Sequence, residues 1–172
     1  GEISDDDRTY VGDAQPDLTF GWQNNFTWKN WDFSFFFRGT IGNKVLNNPR
    51  AAYANNTYLI GTNALDDELT YTMKESSRVC SYYLENGSFI RLDNLALGYT
   101  FDTKKINWLD KARLYFAAQN LFVITGYKGL DPEVELFRGE SSDTDAGLSP
   151  GIEPRQFFPK ARTFTLGVNL TF

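Results

Sequence analysis

Residues 162–172 read Arg162-Thr163-Phe164-Thr165-Leu166-Gly167-Val168-Asn169-Leu170-Thr171-Phe172. Phe164, Leu166, Val168, Leu170 and Phe172 fall on one face of an extended chain, and Thr163, Thr165, Gly167, Asn169 and Thr171 on the other. Side chains alternate along a strand, so this pattern sets one face against an apolar medium and the other against a polar one. The last residues of a water-soluble domain usually fray, and apolar positions are poorly used there. The final strand of a transmembrane β-barrel instead pairs to close the cylinder and stays regular to its end. The stretch is therefore expected to be a closing membrane strand.

Four earlier segments repeat the alternation. About 17–28, Leu18, Phe20, Trp22, Phe26 and Trp28 share a face, with Asn24 the exception. About 31–40, Trp31, Phe33, Phe35 and Phe37 point outward and Asp32, Ser34 and Arg38 inward. Lys29-Asn30 between them has the length of a tight hairpin turn. About 88–101, Ile90 and Leu92 precede Leu95, Leu97, Tyr99 and Phe101, and the phase slips by one residue at Asp93-Asn94, as at a β-bulge. About 112–125, Leu114, Phe116, Ala118, Phe122 and Ile124 oppose Arg113, Tyr115 and Gln119.

The connections sort by length. Lys29-Asn30 and 102–111 are short, whereas 41–87 and 126–159 are long. In an up-and-down meander the short connections share one end and the long ones the other, the layout of outer-membrane barrels with short periplasmic turns and long extracellular loops. The long loops are therefore expected outside the cell and the C-terminus in the periplasm. Residues 1–16, 41–87 and 126–159 hold 17 of the 22 acidic and 8 of the 17 basic residues, a net of −9 against +4 elsewhere. Acidic runs such as Asp5-Asp6-Asp7 and Asp66-Asp67-Glu68 repel phosphate backbones and argue against nucleic-acid binding. Pro49-Arg50-Ala51-Ala52-Tyr53 is a plausible helix start within the first long loop.

Composition alone leaves alternatives. With 41% hydrophobic residues and a mean hydropathy of −0.42, a hydropathy window reads the chain as water-soluble. No apolar run approaches the ~20 residues of a membrane helix, but barrel strands escape such windows because half of each faces the lumen. Aromatic residues make up 16%, which suits interfacial girdles and equally a carbohydrate-binding β-sandwich. Without histidine, His-based acid–base and nucleophile schemes are excluded, and a structural zinc site is not expected. Cys80 has no partner for an internal disulfide and reads as a small residue, buried or semi-exposed. Gly1 begins without the features of a signal peptide, and a trimmed fragment is expected.

Several stretches, in order, resemble the C-terminal end of SusC/RagA-like TonB-dependent transporters. They are Asp7-Arg8-Thr9-Tyr10-Val11-Gly12 through Pro16 with Phe20-Gly21, Phe89 to Tyr99, Gln119-Asn120-Leu121, Tyr127 to Val134, and the closing strand. The resemblance implies an all-β, antiparallel, up-and-down transmembrane barrel of 22 strands with an N-terminal plug. This chain, residues 1–172, would supply its last five strands without the plug. It further implies a Gram-negative outer-membrane location among lipids, a SusD-like lipoprotein capping the mouth, and uptake of glycans or peptides driven by TonB through the missing N-terminal region. Leu166, Val168, Leu170 and Phe172 resemble the signal read by the barrel assembly machinery. Tyr127, Gly129, Asp131, Pro132 and Glu133 form a family loop motif, with Pro132 stiffening the loop. No catalysis, cofactor or metal is implied.

Other motifs are weaker. Asp131, Glu133 and Glu135 are a conceivable hydrolase carboxylate set, but the loop-shape reading is preferred. Asp143-x-Asp145-x-Gly147 is like the start of a calcium loop, but Pro154 stands where the twelfth-position acid belongs. The sequons at Asn25, Asn55, Asn86 and Asn169 carry no weight in a bacterial barrel. Tyr53, Tyr58, Tyr71, Tyr127, Phe137, Phe157 and Phe158 would stack on sugars or pack against loops or the lipoprotein. Arg38, Arg91 and Arg113 are expected in lumen charge networks with the plug. Two readings stay open beside transport: a passive porin-type barrel, and a soluble carbohydrate-binding sandwich enclosing Phe164, Leu166 and Leu170.

Overall fold

Nine elements are defined among the described residues of the computed structural model, 9–54, 61, 63, 65–66, 80–104, 106–134, 150–155 and 158–172, and five of them carry the alternating segments. In chain order they are β1 (Leu18–Trp28), β2 (Trp31–Ile41), β3 (Lys44–Leu46), α1 (Asn48–Tyr53), a 3-10 turn (Ser81–Tyr83), β4 (Leu84–Asn86), β5 (Phe89–Phe101), β6 (Lys111–Thr125) and β7 (Thr163–Thr171). They fall into two units. One comprises 18–40, 89–125 and 159–172, the other 1–17, 41–88 and 126–158.

The first unit is a five-stranded sheet in the order β1-β2-β5-β6-β7. The order is that of a meander: each strand pairs with its predecessor in this sheet, and β2–β5, β5–β6 and β6–β7 are antiparallel. Lys29 makes the two-residue turn with a positive φ of 54°, and the Thr100 N–H donates to the Asn30 carbonyl at 2.8 Å. Register places like with like. Phe33, Leu97, Phe116 and Leu166 lie in one row across four strands, and Trp31, Tyr99, Leu114 and Val168 in the next. A one-residue slip of any strand would turn its apolar set to the other face.

The apolar face is a layer of rings and branched chains. Trp22 meets Phe35 edge-on at 5.2 Å and stacks on Phe37 at 6.0 Å, while Phe26 stacks on Phe33 at 6.2 Å. Phe116 stacks on Phe164 at 6.3 Å. Phe164, Leu166 and Leu170 stay 59%, 73% and 50% exposed. They are not enclosed in a globular interior, which removes the sandwich. The fold is the antiparallel up-and-down sheet of a barrel wall.

The expected phase slip is present. Phe36 pairs with Asn94 and Phe37 with Leu92, so Asp93 is the extra residue. Against β6, Leu92 pairs with Phe122 and Asn94 with Gln119, leaving Asn120 and Leu121 opposite Asp93. Asn120 has a φ of 51°, a conformation asparagine adopts more readily than other residues with a side chain. Its amide donates to the Ala161 carbonyl at 3.2 Å. The Gln119-Asn120-Leu121 stretch is thus the site of an irregularity in β6 that its regular alternation concealed.

The second unit holds elements within what the sequence presents as loops. β3 pairs antiparallel with β4, and Leu46 bridges Ile152 in parallel. α1 begins where expected: the Asn47 side chain accepts from the Arg50 N–H at 2.9 Å, and Pro49 occupies the first turn. Ala51, Ala54 and Tyr83 form a small core, with Leu46 and Cys80 packed against it. These short strands escaped the sequence reading because three residues are too few to show a period.

Candidate functional site

In the second unit the motif residues are organised by a carboxylate that the sequence reading passed over. Glu153 is fully buried. Its Oε2 accepts from the Tyr127 hydroxyl at 2.6 Å and its Oε1 from the Leu130 N–H at 3.0 Å. Its own N–H donates to the Leu46 carbonyl at 3.0 Å. Gly129 lies where a Cβ would come 2.3 Å from Glu153 Oε2 and 2.4 Å from the Tyr127 ring, so no larger residue fits. Burial first, and the hydrogen bond to Glu153 second, push the Tyr127 phenol far above its ordinary pKa.

Asp131 is buried as well, and its Oδ1 accepts from the Glu133 N–H at 3.0 Å, an Asx turn across Pro132. All five motif residues thus lie within one short loop. Tyr127 and Gly129 touch Glu153, while Asp131, Pro132 and Glu133 form the turn that follows. Glu85 ties in the helix: its Oε1 accepts from Arg50 Nη1 at 3.3 Å and from Asn47 Nδ2 at 3.2 Å, and its Oε2 from the Lys128 N–H at 2.8 Å. A cavity of about 370 Å³ adjoins this network, lined among others by Asn47, Arg50, Lys128, Leu130 and Glu153. Among the described residues no cluster of three or more Asp, Glu, Cys or His side chains is arranged to hold a metal.

In the first unit the polar face carries charge pairs made within the sheet. Arg113 on β6 clasps Asp32 on β2, with Nε to Oδ1 at 3.0 Å and Nη2 on Oδ2. The pair spans β5 at Gly98, where a Cβ would come 2.4 Å from Arg113 Nη2 and 2.5 Å from Asp32 Oδ1. Arg38 pairs with the bulge residue Asp93, Nε to Oδ2 at 3.1 Å. Arg91 is buried with its guanidinium 5.6 Å from the Phe89 ring. Phe36, which the alternation left unassigned, joins this face, and its ring lies 3.2 Å from where a Gly21 Cβ would stand. Leu166, Val168 and Leu170 line the apolar face of β7, and Phe172 follows its last residue.

Some expected features lie outside the described residues. They are Glu135, Asp143, Asp145 and Gly147, the loop aromatics Tyr58, Tyr71, Phe137 and Phe157, the sequon at Asn55, and the acidic runs at 5–7 and 67–68.

No protein-family model matches the chain. It is 36% identical over 186 residues to the TonB-dependent receptor P3 of Formosa agariphila, which covers 100% of this chain and 18% of that receptor. It is 30% identical to the TonB-dependent receptor SusC of Bacteroides thetaiotaomicron, with 100% and 17% covered. In structure it is similar to the RagAB peptide importer in its closed-closed state, with a TM-score of 0.76, 25% identity, and 99% of this chain and 19% of that one covered. The chain spans less than a fifth of the length of the curated relatives it matches. Across its whole length, in sequence and in fold, it belongs with the SusC/RagA-like TonB-dependent receptors.

Proposed function

We propose that this chain is the C-terminal wall segment of a larger outer-membrane barrel that imports glycans or peptides at the expense of TonB-transmitted energy. The observation that carries the reading is the two-faced sheet: an exposed aromatic and aliphatic layer on one side, paired charges on the other, and strands that end in long segments at one end only. Lipid suits the first face and an aqueous lumen the second. Five strands leave two open edges, β1 and β7, which further strands of the same protein would cover. The resemblance of this chain to 22-stranded transporters puts the plug and the TonB contact in other parts of the receptor.

Within that whole, the long segments face the cell exterior and the C-terminus the periplasm. Tyr127, Gly129, Asp131, Pro132 and Glu133 hold a loop in shape near the mouth, where a SusD-like lipoprotein docks. Leu166, Val168, Leu170 and Phe172 present the strand to the assembly machinery. The segment does no covalent chemistry. Similarity to a peptide importer supports the peptide class, and the glycan class rests on the family resemblance alone.

The test uses the full-length receptor in its own cells. Uptake of labelled oligopeptides and oligosaccharides is measured with and without TonB. Uptake of one class that stops when TonB is removed is the expected result. Uptake that persists without TonB favours the passive porin-type barrel and ends the proposal. Orientation is read separately in a receptor carrying Cys80→Ser: a membrane-impermeant thiol reagent on intact cells should label Leu130→Cys and spare Lys104→Cys.

A further inference from the structure

The short connections of the sheet differ in charge from the long segments. Residues 29–30 and 102–111 hold four lysines and two aspartates, a net of +2, against −9 in 1–16, 41–87 and 126–159. The same end of the sheet gathers rings. Trp31 on β2 pairs with Tyr99 on β5, with ring centroids 4.8 Å apart, and Tyr99 meets Phe101 edge-on at 4.9 Å. Trp28, the last residue of β1, is 67% exposed, and the Lys29 ammonium lies 5.0 Å from the centre of its ring. The Thr100 N–H donates to the Asn30 carbonyl at 2.8 Å, which sets the Lys29-Asn30 turn beside the start of the 102–110 connection.

Lys29 is exposed, and among the described residues no carboxylate pairs with it. Its φ of 54° is one that asparagine or glycine takes more readily, so the turn itself does not call for lysine. Lys104 lies 3.8 Å from Asp102 with both side chains largely exposed, a pair that solvent screens. On the polar face, by contrast, Arg113 and Arg38 are each committed to a carboxylate. Rings beside an uncommitted ammonium match an amphiphile with an apolar tail and an anionic head. Interfacial rings lie against acyl chains, and lysine near a bilayer surface attracts anionic head groups.

We propose that the short-turn end of this sheet binds an anionic phospholipid of the periplasmic leaflet, its phosphodiester held by Lys29 and Lys104 and its acyl chains lying along Trp28, Trp31, Tyr99 and Phe101. The inference rests on the reading of the sheet as a membrane wall with this end toward the periplasm. The site is one-sided, because the acidic long segments repel anionic head groups at the opposite end.

The experiment reconstitutes the full-length receptor in phosphatidylethanolamine vesicles carrying a trace of photoactivatable phosphatidylglycerol or photoactivatable phosphatidylethanolamine, and maps the cross-linked peptides by mass spectrometry. The phosphatidylglycerol probe is expected to label 28–31 and 99–104 several-fold more than the phosphatidylethanolamine probe. Lys29→Asn combined with Lys104→Gln removes both charges, and asparagine suits the positive φ at position 29, so the turn is kept. This variant should lower phosphatidylglycerol labelling to the phosphatidylethanolamine level, while Lys29→Arg should behave as the wild type. Equal labelling by the two probes overturns the proposal, as does undiminished labelling of the double variant. Unlabelled lipopolysaccharide that displaces the probe better than unlabelled phosphatidylglycerol overturns it too, since the site would then belong to the other leaflet. The underlying reading fails differently: if neither probe labels the apolar faces of β1, β2 and β5, the sheet is not a membrane wall, whereas labelling of those faces without preference removes the lipid site alone.

Discussion

Glu153 illustrates how one buried group can order a loop. A carboxylate without water needs donors for its lone pairs, and here they come from Tyr127 and the Leu130 backbone. Glu153→Ala leaves both donors without their acceptor and should cost the loop unit about 1–3 kcal/mol, read as faster hydrogen exchange in 126–134 of the full-length receptor. Tyr127 adds an alkaline limit. Its folded pKa is raised, so its contribution to stability is fully present below the ordinary value of 10.0 and declines as pH rises past it. Tyr127→Phe should remove that decline, as alkaline unfolding curves would show. Gly98 plays the matching part in the wall. Gly98→Val crowds the Asp32–Arg113 pair and should cost about 1–3 kcal/mol, lowering the temperature at which the receptor loses its folded mobility on gels. Gly126, with open space around its Cβ position, is the control: Gly126→Ala should change nothing.

Among the strands, β5 and β6 depart from regularity together. Asp93 is extra relative to β2, and Asn120 with Leu121 stand opposite it. Its removal would bring Ile90 and Leu92 into unbroken alternation with Leu95, Leu97, Tyr99 and Phe101 and keep the apolar set on one face, but it would break the Arg38–Asp93 pair and leave Asn120 and Leu121 without a residue opposite them. Deletion of Asp93 should therefore still give folded receptor in the membrane fraction, with a lower gel-shift temperature than the wild type. Asn120→Gly should be tolerated, because glycine takes a positive φ freely. Asn120→Val should cost about 1–2 kcal/mol, measured by the same gel-shift temperature. The slip at Asp93 was legible as a break in the apolar rhythm. The one at Asn120 was not, because Gln119 and Phe122 keep the faces that unbroken alternation assigns them.

For the protein as a whole, the assignment of the two faces is the claim with most consequences, and adjacent residues of β7 test it. Leu166→Lys puts an ammonium on the apolar face and should destabilise the inserted receptor by about 2–4 kcal/mol if it lies near the bilayer midplane. Thr165→Lys, one residue away on the polar face, should fold as the wild type does. Comparable losses for both variants in reversible unfolding from lipid would refute the face assignment.

Strand positions, their faces and the hairpin at Lys29-Asn30 were set by local alternation, since a period of two residues needs no knowledge of distant chain. The helix start at Pro49 was equally local, because Asn47 and Pro49 act within one turn. The partners were not. That Arg113 reaches Asp32 across Gly98, that Arg38 takes the bulge carboxylate, and that Glu153 gathers Tyr127 and Leu130 depends on contacts between residues 23 to 81 positions apart. Linear order states which side chains a strand offers to each face; only pairing register and loop closure bring particular side chains within hydrogen-bonding distance, because those depend on where separate strands come to lie.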